Sequence, residues 1–149
     1  MLVGGKSMSI LFINSSSNHN GNTAKLAKVL LAGHDYQTLN LADYKIYGYG
    51  QDFADDQLDE VMAEIAKADT LVIGSPVYWH NLNGLLRNFL DRQYGRVASE
   101  FTGKRLFFLF QGQAPTPEIL AAGEYTMSRF AGYYDMDYMG MAHNASEAK

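Results

Sequence analysis

Cysteine is absent from all 149 residues. Its absence excludes disulfides, thiolate nucleophiles, cysteine-phosphatase chemistry and iron–sulfur ligation by cysteine, and it permits the cytoplasmic setting expected of this chain. No apolar run is long enough to span a bilayer, and the opening residues from Met1 to Ser7 lack a long apolar core. Runs of Lys or Arg are missing as well. Twelve basic against 16 acidic residues give a formal charge of -4, which argues against a surface for nucleic acid or for an acidic membrane. Internal repeats and low-complexity tracts are absent, and the length leaves no room for a second domain. What is present is 47% apolar content. That is enough for a single domain over 1–149 that buries roughly two-thirds of the surface its unfolded chain would expose. Residues 1–8 are expected to be disordered or foreign to the natural chain, with Met8 as an alternative start.

Hydrophobic patterning predicts alternating strands and helices. Ser9 to Asn14 and Arg105 to Gln111 are apolar almost throughout, as is the short run Thr70 to Gly74, and each reads as a strand covered on both faces. A further strand is expected near Tyr36 to Leu41 and a last one over Tyr133 to Ala142. Helices are expected over Thr23 to Ala32 and over Asp56 to Ala68, where Asp55 or Asp56 is a candidate cap. Another is expected from Leu82 through Leu90. The fourth, starting at the Thr116-Pro117-Glu118 cap signal, should run to about Ala131. Asp43 to Gln51, rich in Tyr and Gly, has no clean period and reads as loop. This order implies an α/β fold with a doubly wound five-stranded parallel sheet. Only His143 to Lys149 follow the last strand, so a closing C-terminal helix is expected to be lacking.

Three loops leave the carboxyl ends of these strands, and in an open doubly wound sheet such loops meet in one crevice. The first, Ser15 to Thr23, is a run of hydroxyls and amides with Gly21 before a helix start. Free N–H groups at a helix start favour a dianion, so a phosphate could be held there without Lys or Arg. The plainer alternative is a good turn followed by a capping Thr23. The second loop, Ser75 to Gly84, carries Tyr78 and Trp79 behind the rigid Pro76, and rings held stiffly at a strand end suit a flat ligand. The third is Gly112-Gln113-Ala114-Pro115. A dinucleotide fingerprint would need three spaced glycines, and a nucleoside-triphosphate loop would end in Gly-Lys-Ser or Gly-Lys-Thr; Gly21-Asn22-Thr23 is neither. Asn14 and Ser15 also stand where a phosphoacceptor domain would carry a pair of aspartates.

These motifs resemble those of the flavodoxin-like NAD(P)H-dependent FMN reductases and quinone reductases. That family's loop Gly-Ser-x-Arg-x-x-Gly-Asn-Thr is matched at Ser16, Gly21, Asn22 and Thr23, with Ser15 replacing the first glycine and Asn18 the arginine. Its second motif, Ser-Pro-x-Tyr, an aromatic, then Gly-x-Leu-Lys-x-Phe-x-Asp-Arg, is matched by Ser75 to Trp79 and Gly84 to Arg92, with Arg87 in place of lysine. The resemblance, running from about Ser9 to Ala142, implies strand order 2-1-3-4-5 and FMN as cofactor. Ser16, Asn18, Asn22 and Thr23 would lie at its phosphate. Pro76, Val77, Tyr78, Trp79, His80 and Asn81 would run along the ring, and Gln111, Gly112 and Gln113 would close the other side.

The resemblance further implies NAD(P)H as co-substrate, flavin N5 rather than a side chain as the reactive centre, a small-molecule electron acceptor, and a homodimer. The other readings are an electron carrier without its own NAD(P)H reaction, or a flavin-free interaction domain. The four histidines are scattered and poorly accompanied by acids, so no metal is expected. Asp91 and Arg92 could pair across a dimer or locally, and Tyr44, Tyr47, Tyr49 and Tyr94 could line a pocket mouth or pack as edges.

Overall fold

The computed structural model describes residues 9–149 in full and, of the first eight, only the backbone of β1 (Leu2–Val3) and β2 (Lys6–Ser7), which pair antiparallel. Otherwise the expectation for residues 1–8 lies outside the described residues. The main sheet begins with β3 (Ile10–Asn14), every residue of which is buried. Alternate side chains explain why: Ile10 and Phe12 pack on one face of the sheet, Leu11 and Ile13 on the other. Its neighbours are β4 (Gln37–Asn40) at the edge and β5 (Thr70–Tyr78) at the centre, followed by β7 (Arg105–Gln111) and β8 (Asp137–Ala142). These five strands are parallel and lie in the order β4-β3-β5-β7-β8, which is the expected 2-1-3-4-5.

One face is covered by α1 (Asn22–Leu30), whose Leu26 and Ala27 meet Phe12, Val72 and Leu109. The other is covered by α2 (Leu58–Ala66), α3 (Gly84–Asp91) and α4 (Pro117–Tyr133), which bring Ile65, Phe89 and Met127 into one cluster with Ile73 and Phe108. The α4 cap is as expected: the Thr116 hydroxyl accepts from the Ile119 amide at 3.3 Å, with Pro117 at the first helical position.

The sequence-based expectations need correction at five places. A sixth strand, β6 (Asn81–Leu82), pairs antiparallel with β5, and β5 itself continues through Pro76, Val77 and Tyr78, which were expected in a loop. A C-terminal helix is present: α5 (Ala145–Ala148) starts at Asn144, whose side chain accepts from the Glu147 amide at 2.9 Å, and its Ala148 is buried in the α1 cluster. Four residues carry too little periodicity to be read as a helix. The last strand starts at Asp137 because α4 runs on to Tyr133, and its alternation is broken by a bulge opposite Leu106 and Phe107, where Gly140 has φ +126°.

The N-cap position of α2 is Gln57 rather than Asp55 or Asp56, but the Asp56 carboxylate accepts from the Leu58 amide at 3.2 Å and so satisfies one free N–H of the first turn. Asp56 also accepts from the guanidinium of Arg92 at 2.6 and 3.0 Å, so Arg92 is paired locally. Finally, the N-cap of α1 is Gly21, and Thr23 lies inside the first turn.

Candidate functional site

The carboxyl ends of β3, β5 and β7 bring three loops to one edge of the sheet. Ser15 leaves β3 clamped to β5, its amide and hydroxyl both donating to the Gly74 carbonyl at 3.0 and 2.7 Å. The loop then folds on its own side chains. Asn14 Oδ1 accepts from the Ser16 amide, Ser16 Oγ from the Asn18 amide, and Asn18 Oδ1 from the Asn20 amide, at 3.0–3.1 Å. These short-range turns are what Ser and Asn do best outside helices. They leave the amides of Asn22, Thr23 and Ala24 at the start of α1 without intrahelical acceptors, in a first turn that contains no acid.

Thr23 is buried rather than presented. Its hydroxyl accepts from Gln111 Nε2 at 3.3 Å, and its methyl lies where Gly74 leaves room: a Cβ on Gly74 would stand 2.5 Å from Thr23 Cγ2. Glycine at position 74 is therefore what lets α1 approach the central strand. Gln111 in turn links the end of β7 to the start of α1, and with Asn22 it borders a small cleft of about 220 Å³ that also touches His143 and Asn144.

The aromatic segment is a tight hairpin. Tyr78 pairs with Asn81, leaving Trp79 and His80 as a two-residue turn with φ +49° and +65°. Left-handed geometry at both central positions is the primed turn usually made by Asn-Gly, and for an indole and an imidazole it is a strained choice. Trp79 is 95% exposed at the tip. Across from it, Val77, Trp79 and His80 face Gly112, Gln113, Ala114, Pro115 and Ile119 around a cleft of about 280 Å³. The two walls come close at Gly112, where a Cβ would stand 2.9 Å from that of Val77.

Of the residues singled out from sequence, Val77, Trp79, His80, Gly112 and Gln113 thus share one cleft. Ser16, Asn18, Asn22 and Thr23 lie on the loop after β3 and the first turn of α1; none of them lines that cleft, and their link to it runs through Gln111, which bonds Thr23 and precedes Gly112. Pro76 is buried in the sheet opposite Gln111, and Tyr78 and Asn81 do not line the cleft. The histidines have closer acidic company than their scatter suggests: His19 Nε2 is 2.9 Å from Asp43, and His143 pairs with Glu147. Tyr47 packs on Phe53, and Tyr49 packs edge-on against Tyr94.

Two supporting residues were not among the site residues expected from sequence, although Ser75 opens the second motif. Asn83 caps α3 by accepting from the Leu86 amide at 3.1 Å and donates from Nδ2 to the Ser15 carbonyl at 2.6 Å. Ser75 Oγ accepts from the Asn83 amide at 3.2 Å. An Asn immediately before Gly84 and an apolar helix was a readable cap signal; its second partner, 68 residues away, was not.

A parallel sheet in the order β4-β3-β5-β7-β8 with helices on both faces, carrying a polar loop, an aromatic hairpin and a Gly/Gln loop at its carboxyl edge, makes up a flavodoxin-like α/β domain. The family profile described as "NADPH-dependent FMN reductase" matches residues 8–135, and the chain belongs to that family. It is 32% identical over 98 residues to an iron-sulfur flavoprotein of Archaeoglobus fulgidus, a match covering 57% of this chain and 48% of that one. It is 38% identical over 72 residues to an FMN-dependent NADH:quinone oxidoreductase of Burkholderia lata, covering 46% and 31%. The chain therefore spans about half or less of the length of these curated relatives. Among solved structures, an NADH:FMN oxidoreductase in its apo form superposes with a TM-score of 0.64 at 26% identity, over 91% of this chain and 75% of that one.

The described residues fit FMN. A first turn free of acids can receive a phosphate without Lys or Arg, and the cleft at the neighbouring strand ends is lined by Val77, Trp79, Pro115 and Ile119 together with the polar His80 and Gln113. Among the described residues, no helix is long and apolar enough to cross a membrane.

Proposed function

We propose that this domain binds FMN and uses it to oxidise NAD(P)H at the expense of a small acceptor such as a quinone, a free flavin, or a nitro or azo compound. The observation that carries the reading is the Gln111–Thr23 hydrogen bond, which ties an acid-free helix start to the strand end that leads into the Val77–Gly112 cleft. When bound, FMN supplies the redox chemistry, taking hydride at N5 and releasing electrons to a second oxidant.

The chain's own residues bind and orient. The Asn22, Thr23 and Ala24 amides, with Ser16 and Asn18, hold the phosphate; the Thr23 hydroxyl is occupied by Gln111 and contributes through position. Val77 and Ile119 exclude water from one side of the cleft, while the exposed Trp79 leaves the other side open to a nicotinamide and then to an acceptor. Gln111, Gly112 and Gln113 close the far wall. The same proposal places the protein in the cytoplasm, where reduced nicotinamide is supplied.

A homodimer belongs to this reading. A missing C-terminal helix would have left one face of the sheet for a partner to cover, and the presence of α5 reduces that ground. Support comes instead from the groove of about 380 Å³ between α3 and α4, where Leu90, Phe130 and the exposed Tyr94 and Tyr133 meet. Sedimentation with FMN present should give twice the 16.6 kDa chain mass, and a monomer would refute the dimer. The activity is tested by mixing FMN-loaded protein with NADH or NADPH without oxygen, then adding a quinone. Bleaching of the flavin followed by recovery of its colour is expected; bound flavin that neither nucleotide bleaches would identify an electron carrier instead.

A further inference from the structure

Asn83 occupies a position that neither the phosphate loop nor the aromatic hairpin accounts for by itself. It is buried, with 2% of its surface exposed, and its polar groups reach three separate elements. Nδ2 donates to the carbonyl of Ser15, the first residue of the phosphate loop, at 2.6 Å. Its backbone N–H, directly after β6, donates to Ser75 Oγ at 3.2 Å, and Ser75 Oγ lies 2.8 Å from the Pro76 carbonyl at the base of the hairpin. Oδ1 accepts from the Leu86 amide and so fixes the start of α3. A buried amide whose donor and acceptor sides are both used holds its partners in one arrangement, since releasing either leaves an unpaired group out of reach of water.

We propose that Asn83 is a positioning residue that locks the phosphate loop to the ring-binding hairpin, so that the two ends of FMN are held as a single unit. This rests on the FMN reading given above. The Ser15 peptide sets the direction in which the loop leaves β3; its amide and hydroxyl are held by Gly74 on β5, and Asn83 adds the hold on its carbonyl from the end of the returning strand of the hairpin that carries Val77 and Trp79. A ligand that touches both parts gains from their fixed spacing, whereas a ligand that touches only one does not.

The experiment compares FMN with riboflavin, which has the ring but no phosphate, in wild type and Asn83→Ser. Serine still caps α3, yet its side chain is one bond shorter and loses the Ser15 carbonyl. Binding can be followed by quenching of Trp79, the single tryptophan of the chain. FMN affinity should fall about five- to tenfold, the worth of one buried hydrogen bond, while riboflavin affinity stays within about twofold. Equal weakening of both flavins, as a merely structural role would give, overturns the proposal, and so does unchanged FMN affinity. Should the serine variant not fold, Asn83→Asp is read by the same ratio. It keeps the cap and the size but turns an acceptor toward the Ser15 carbonyl, and should lower the FMN to riboflavin preference further. Wild type that binds neither flavin would remove the FMN reading and this inference together, whereas wild type that binds FMN with an unaltered ratio in both variants removes the inference alone.

Discussion

Placing a methyl group on Gly74 tests how the loop after β3 and the start of α1 are seated. In Gly74→Ala the new Cβ would lie 2.5 Å from Thr23 Cγ2 and 3.0 Å from Phe12 Cε1. Phe12 is held inside the α1 cluster, so Thr23 has to give, either by swinging its side chain away from Gln111 or by lifting the first turn of α1 off β5. Overpacking of this kind costs about 1–3 kcal/mol. Thr23→Ser removes the offending methyl and keeps the hydroxyl, at about 1 kcal/mol for the small cavity. If the two changes were independent the double variant would lose about 2–4 kcal/mol; because the serine makes room for the alanine, it should instead be at least about 1 kcal/mol more stable than that sum. Urea denaturation of the four proteins measures the cycle, and FMN titration shows whether the displaced turn also weakens binding. Additive effects, or a neutral Gly74→Ala, would refute the close approach of α1 to the central strand.

Three further outcomes are expected. The Arg92 guanidinium holds the Asp56 carboxyl at about 2, below its ordinary 3.8, with both side chains 18% exposed. After allowance for screening the pair contributes about 1–2 kcal/mol above pH 4, and the contribution is lost as the pH falls toward 2. Asp56→Asn should therefore be less stable than wild type at pH 7, and the two should converge near pH 2 in urea titrations. Gly112→Ala, whose Cβ would press on Val77 at 2.9 Å, should narrow the cleft and weaken FMN binding by about tenfold with a smaller effect on stability; unchanged binding would put the ring elsewhere. Trp79→Gly relieves a left-handed residue at an exposed tip, so it should leave stability unchanged or raise it by up to about 1 kcal/mol while slowing turnover, as checked by thermal unfolding and NAD(P)H oxidation.

The strands with uniform apolar character were legible because burial on both faces leaves no room for polar alternation; β3 shows this at every residue, and β7 from Phe108 to Phe110. Segments whose structure depends on distant contacts were not. The hairpin of β5 and β6 has Trp and His where a turn signal would have Asn-Gly, so nothing local announced it. The four residues of α5 are too few for a period, and its one buried side chain, Ala148, is only a methyl group.

At the site, the residues on the loops were readable by type, while their postures were not. Thr23 reads as a cap from its neighbours and is buried because Gly74, 51 positions later, has no side chain. Asn83 shows the same division within one residue, since its cap to Leu86 is local and its bond to Ser15 is not.

The central claim is that one FMN sits between the phosphate loop and the Trp79 hairpin, and the most direct measurement is a titration of the flavin-free protein with FMN while Trp79 emission is recorded. Trp79 is the single indole and is almost wholly exposed at the edge of the proposed ring site. The account predicts saturable quenching at one FMN per chain, with weaker quenching by riboflavin at equal concentration. A protein whose Trp79 emission is unchanged by FMN, and from which the flavin separates freely on gel filtration, would contradict it.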